Sequence, residues 1–181
     1  MALIRMLSSE HFQARYLDLK GCSLTTVGGS ITPTVSTSPN ISESITCVGV
    51  REWICSNGIK ANNIDMLVLS GSSFTGDGIH LLAGFMNLCP QLSTFYCNYC
   101  ELTSDDLKQL LSLLPQPNLS LKDWNLSFNN IDDDGVSALI EQLSMFPALR
   151  NIPIDNNHIS QEMRTNLQEI YKKRNKVPHL L

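Results

Sequence analysis

From Leu121 the chain places residues at steps of three, two, three and two: Leu121, Trp124, Leu126, Asn129 and Ile131, apolar except at the fourth position. The same frame appears at Ile64, Leu67, Leu69, Ser72 and Phe74, and again at Leu92, Phe95, Cys97, Cys100 and Leu102. It returns at Leu149, Ile152, Ile154, Asn157 and Ile159. Frame starts at 64, 92, 121 and 149 keep a period of 28 or 29 residues, which marks an internal repeat. A fifth copy, Ala14, Leu17, Leu19, Cys22 and Leu24, lies 50 residues before Ile64, one period plus about 22 inserted residues.

Within each copy the alternation around the second and third positions predicts a short strand with one face buried. The first spans Arg15 to Gly21, with Leu17 and Leu19 inward. Later segments 66–69, 94–97, 123–126 and 151–154 are expected to lie side by side and parallel. Between strands the period changes to three or four. Thr75 to Gly78 leads into Ile79, Leu82, Phe85 and Met86; Thr103 to Asp106 leads into Leu107, Leu110, Leu111 and Leu114; Asp132 to Gly135 leads into Val136, Leu139, Ile140 and Leu143. Thr and Asp suit these starts because their oxygens accept from the free amides of a helix's first turn. Pro90, Pro115 and Pro147 close the three helices before the next strand.

The ends and one interior stretch break the rhythm. Residues 1–13 carry Leu3, Ile4, Leu7 and Phe12 at roughly helical spacing and read as an N-terminal cap. Residues 25–44 turn to Thr, Ser, Gly and Pro and read as an insertion that delays the first repeat's helix. That helix resumes at Ile45, Val48, Trp53 and Ile54 and stops at Asn57-Gly58. Ser160 to Lys176 predicts a last helix with a basic finish, and 160–181 reads as the C-terminal cap. The expected organisation is a single domain over 1–181: cap 1–13, first repeat 14–63, regular repeats 64–159, cap 160–181.

This frame, with a full helix per repeat and Asn or Cys at the turn, resembles the ribonuclease-inhibitor type of leucine-rich-repeat protein over residues 14 to 174. The resemblance implies an α/β fold, a right-handed solenoid or horseshoe of about five repeats, with parallel strands on the concave face and helices on the convex face. It further implies that Asn129 and Asn157, with Cys22 and Cys100 as cysteine counterparts, bond neighbouring turns as a ladder, and that Ser72 departs from the pattern. Members of the family mostly bind proteins, and the namesake inhibits an enzyme by wrapping around it. Short members are also similar to leucine-rich effectors of intracellular bacterial pathogens.

Composition narrows the function classes. A net charge of −4 spread over 181 residues gives no field to draw in nucleic acid or an anionic membrane. The N-terminus has no apolar run long enough for a span or a secretion signal, so the expected location is cytoplasmic, the host cytosol for a delivered effector. Six cysteines then read as free thiols, three of them on frame positions.

Each candidate for chemistry has a plainer explanation. Cys97-x-x-Cys100 has redox or half-zinc spacing, but the frame sends Cys97 into the core and Cys100 to the turn, and no second pair completes a site. Asp132 to Asp134 lacks the later ligands of a calcium loop and suits helix capping. The sequons at Asn40, Asn118 and Asn125 lack a secretory context. His11, His80, His158 and His179 share no spacing with a nucleophile, so no enzyme, cofactor or metal is expected. The basic run Lys172 to Lys176 reads as a solvated helix end.

What remains is the outward side of the strands. Alternation puts Tyr16, Asp18 and Lys20; Met66, Val68 and Ser70; Thr94, Tyr96 and Asn98; Asp123, Asn125 and Ser127; and Asn151, Pro153 and Asp155 on one exposed surface, with Tyr99 and Phe128 at its edge. Solvent-facing aromatic residues are covered by a partner or by the chain's own insertion or N-terminal segment. The expected function is binding of a single folded protein by a free monomer. Tyr16, Tyr96, Tyr99 and Phe128 are the anchors; Asp18, Met66, Asp123, Asn125 and Asp155 supply further contacts. The sharper expectation is that the partner is an enzyme whose active site is occluded. The alternatives are a scaffold using the convex helices or the 25–44 insertion and, more remotely, an unrecognised enzyme.

Overall fold

Strands that bury one face against helices must bring every second residue to the same side. The computed structural model, which describes residues 16–18, 20, 23–24, 64–74, 78–114 and 117–176, has this arrangement. The expected cap 1–13, insertion 25–44, helix 45–54, Cys22 and Val177 to Leu181 lie outside the described residues.

In chain order the elements are β1 (Tyr16–Asp18), β2 (Ser23–Leu24), β3 (Met66–Val68), β4 (Ser73–Phe74), α1 (Gly78–Leu88), β5 (Thr94–Tyr96), α2 (Ser104–Ser112), β6 (Asp123–Asn125), α3 (Asp133–Glu141) and α4 (Gln161–Lys176). Strands β1, β3, β5 and β6 form one parallel sheet in that order, with Leu17, Leu67, Phe95 and Trp124 in register. Strands β2 and β4 form a second parallel pair. The segment after β6 joins as a bridge, Asp123 opposite Asn151, and not as a full strand. Pro153 has no N–H to donate, which removes one rung of the ladder. The segment is still held by amides of Trp124, Leu126 and Phe128, which donate to the carbonyls of Asn151, Pro153 and Asp155.

The frame positions form the core. Leu67, Leu69, Phe95, Cys97, Trp124, Leu126, Ile152 and Ile154 are buried against Ile79, Leu82, Met86, Leu107, Leu110, Val136 and Leu139 from the helices. Trp124 packs at 5.9 Å from Phe95 and edge-on at 5.5 Å from Phe146, and its indole N–H donates to the Cys97 sulfur at 3.4 Å. Helix starts follow the expected chemistry. Thr103 and Asp106 form a reciprocal cap on α2, and Asp132 accepts from the amides of Asp134 and Gly135 at the start of α3. Gly135 is required because a Cβ there would come within 2.7 Å of the Ser104 hydroxyl, itself bonded to Asp132. The apolar run through Leu143 does not stay α-helical, since a 3-10 turn, Leu143–Met145, finishes it. Arg174 on α4 is not a solvated charge: its guanidinium donates to the carbonyls of Leu143 and Phe146 at 3.1 and 2.7 Å.

The turns after the strands are filled by side chains. Asn129 accepts from the amides of Cys100 and Leu102, both at 3.0 Å, and donates to the carbonyls of Cys97 and Leu126, both at 2.9 Å. Asn157 repeats this one period on, accepting from Ile131 and donating to Leu126 and Ile154. The Cys100 thiol donates to Leu69 at 3.1 Å. Each of these residues reaches back to the turn before its own, so the Leu69 carbonyl is met by the Cys100 thiol as well as by the Ser72 amide.

Replacing Asn129 with Ala would leave four buried backbone groups without their partner. The expected loss is ~3 kcal/mol by urea denaturation, against a smaller loss for Asn157→Ala at the more exposed end. A loss for Asn129→Ala no larger than that for Asn157→Ala would contradict the ladder's role.

Candidate functional site: the outward strand face and its aromatic edge

Register fixes the rows of the outward face. Tyr16, Met66, Thr94 and Asp123 are opposite one another, as are Asp18, Val68, Tyr96 and Asn125. For Tyr16 and Asp18 the backbone places them in these rows, while their side chains lie outside the description. Met66, Asp123 and Asn125 are half-buried, and Tyr96 and Asp155 are exposed. Arg164 pairs with Asp155 at 3.7 Å.

Three residues expected in the open are buried: Val68, Ser70 and Ser127. Strands ~4.8 Å apart leave little water access to a short side chain flanked by longer ones. Val68 stands opposite Tyr96 in register, and the Ser70 hydroxyl donates to the Asn98 side chain at 2.7 Å. The Asn125 carboxamide is turned along its own strand to accept from the Ser127 amide at 3.0 Å.

Among the described residues, the large exposed apolar side chains other than Leu119 gather at the edge of this face. Tyr99 and Phe128 are 55% and 41% exposed and stack on each other, with ring centroids 4.1 Å apart and planes 13° from parallel. Tyr96, three residues before Tyr99, is 36% exposed. Both stacked residues have left-handed backbones, φ 59° and 58°. The equivalent positions one period away on either side are Gly71 at φ 73° and Asn156 at φ 55°. Each immediately precedes the ladder position, so the four described turns share this conformation. Gly and Asn adopt it at low cost, whereas a Tyr or Phe there loses about 1 kcal/mol. The alignment of Gly71 and Asn156 with Tyr99 and Phe128 was available in the sequence and is the signal that marks the pair.

The thiols of the C-x-x-C pair are absorbed by the fold. Cys97 is fully buried between the Trp124 indole and the Asn125 carbonyl, and burial holds its pKa well above the ordinary value. Burial also pushes Cys100 up to about 11, against a smaller lowering by the amides of Ser72 and Gly71. Among the described residues, no three His, Cys, Asp or Glu side chains are grouped to hold a metal ion. Asp132 is held below the usual carboxylate range by the Ser104 hydroxyl first and the Gly135 amide second, as expected of a cap.

Comparison with known proteins agrees with this geometry. Residues 118–139 match the family model described as Leucine Rich repeat. Among solved structures the chain is similar to one titled Leiomodin-1 Actin-Binding Site 2, with a TM-score of 0.59 and 11% identity, over 94% of this chain and 86% of that one. At that identity the likeness concerns the fold, an α/β repeat with a parallel sheet.

Two outcomes follow. Because the stack sits on unfavourable backbone, Tyr99→Asn with Phe128→Asn should change unfolding free energy by no more than about 1 kcal/mol, whereas Trp124→Ala should cost ~3–5 kcal/mol. A large loss from the double variant would make the aromatic edge structural. Iodoacetamide at pH 8 should modify Cys100 in the folded chain about 100-fold more slowly than in urea, by thiolate fraction alone. Equal rates would mean that the thiol is open.

Proposed function

Taking the chain as a leucine-rich-repeat protein, we propose that it is a protein-binding module of the ribonuclease-inhibitor type, a horseshoe of about five repeats that holds one folded partner against its concave strand face. It acts as a free monomer in the cytoplasm and is not an enzyme. The observation that carries this reading is the Tyr99–Phe128 stack: two large apolar side chains kept in solvent at left-handed positions, where Gly or Asn would serve the fold better. Local rules broken at two neighbouring turns, with the return limited to one mutual stack, point to a demand from outside the fold.

Tyr96, Tyr99 and Phe128 are the anchors, since aromatic side chains dominate binding hot spots. Met66, Asp123, Asn125 and Asp155 form the surrounding surface, with Tyr16 and Asp18 completing their rows on β1. The similar structure is titled as an actin-binding site, a precedent for protein binding by a chain of this fold. Occlusion of a partner enzyme's active site is the sharper form of the proposal. The burial of Cys97 and Cys100, which raises the pKa of both thiols, speaks against the C-x-x-C pair as a nucleophilic site.

The test is an affinity capture with the intact chain, repeated with Tyr96→Ala plus Phe128→Ala after circular dichroism has established that the variant is folded. Loss of most of the captured partner is the expected result. Unchanged recovery by the folded variant would remove the aromatic edge from the interface.

A further inference from the structure

The stretches of chain that carry the stacked pair are rich in charge of one sign. Three stretches carry the chain from a strand end into the next helix: residues 98–108, 127–137 and 155–164. Together they contain eight carboxylates and two cations, Lys108 and Arg164. Both cations are engaged, Lys108 with Asp105 and Asp134 and Arg164 with Asp155, while Asp106, Asp132 and Asp133 accept hydrogen bonds within the fold, so the excess of negative charge acts as a field rather than as a set of free carboxylates. Tyr99 and Phe128 lie in the first two stretches, and the Phe128 amide donates to the Asp155 carbonyl, which brings the third alongside. Glu101, two residues after Tyr99, is exposed.

An aromatic face is the negative side of its ring, and two stacked rings leave only their outer faces and edges for a visitor. A cation is attracted to such a face and to the carboxylates around it, whereas a phosphate backbone is repelled by them. Of the two cationic side chains, the guanidinium is flat and weakly hydrated, so it can lie on a ring while its N–H groups reach sideways to carboxylates.

Resting on the binding surface proposed above, we infer that its occupant is a segment of a partner protein that presents arginine, with one guanidinium stacked on the Tyr99–Phe128 pair and neighbouring basic groups facing Glu101 and Asp155. The aromatic pair supplies the anchor, and the acidic edge selects the charge.

The probe is a fluorescein-labelled Gly/Ser dodecapeptide with three arginines, compared with the same peptide carrying lysine or the uncharged isostere citrulline. Anisotropy titrations use the full chain and its Tyr99→Asn plus Phe128→Asn variant, whose side chains suit the left-handed backbone. The arginine peptide should bind most tightly and the citrulline peptide about tenfold more weakly. The double variant should lose about tenfold toward arginine, and binding should weaken as salt rises. No measurable arginine binding, equal affinity for citrulline, or indifference to the double variant would each overturn the inference. So would displacement of the peptide from the aromatic pair by a single-stranded oligonucleotide. If affinity capture depends on Tyr96 and Phe128 while citrulline matches arginine, the surface stands and the assigned chemistry fails. If capture ignores those side chains, the surface itself fails.

Discussion

A carboxamide side chain can accept and donate at once, and at residue 129 that double capacity closes four backbone groups that no strand or helix could reach. The turn after each strand has to leave the sheet and start toward a helix, so its amides and carbonyls fall outside both ladders. Burying them without partners would cost more than the adjoining hydrophobic contacts return. With Asn129 and Asn157 in place the turns can be dry, and Leu102 and Ile131 can pack beside them with almost no exposure. Everything on the outward surface inherits its spacing from this arrangement, because the turn sets where each strand begins and ends relative to its neighbour.

Much of the architecture was legible in the chain because one spacing serves two purposes. Steps of three and two place Leu121, Trp124 and Leu126 inward, and the residue three beyond the last of these falls in the turn. A repeated spacing therefore specified strand, core face and ladder residue together. Helix starts were equally plain, since Thr103 and Asp132 are caps by chemistry. Departures came where neighbours decide exposure. Alternation puts Val68, Ser70 and Ser127 outward correctly, but whether outward means wet depends on the bulk across the ladder. The fate of Arg174 likewise depended on the carbonyls of Leu143 and Phe146, 31 and 28 residues away.

The candidate site was legible as a list and not as an arrangement. Type and place mark Tyr99 and Phe128, while the left-handed backbone that holds them shows in the sequence only through Gly71 and Asn156 in the same frame position. A turn that accepts glycine at one repeat and asparagine at another has a sterically demanding geometry. Aromatic residues at the two middle repeats then stand out as exceptions. By contrast the cysteine pair, conspicuous by its spacing, is held in the interior by a sulfur bonded to Leu69 and another beneath Trp124. The frame already sends Cys97 to the core and Cys100 to the turn, and their burial agrees; backbone conformation adds that Tyr99 and Phe128 occupy turns suited to Gly or Asn.

The ladder also has a direction, since Asn157 completes the turn of the repeat before it, as do Asn129 and Cys100. A nascent chain leaves the ribosome from the other end. The amide of Cys100 emerges first, while the oxygen that will accept from it follows 29 residues later. At ordinary rates of translation that is a wait on the order of seconds. Each coil must meanwhile keep its turn hydrated, so the array settles one repeat behind the point of synthesis, and the last coil to emerge is the one that locks those already outside.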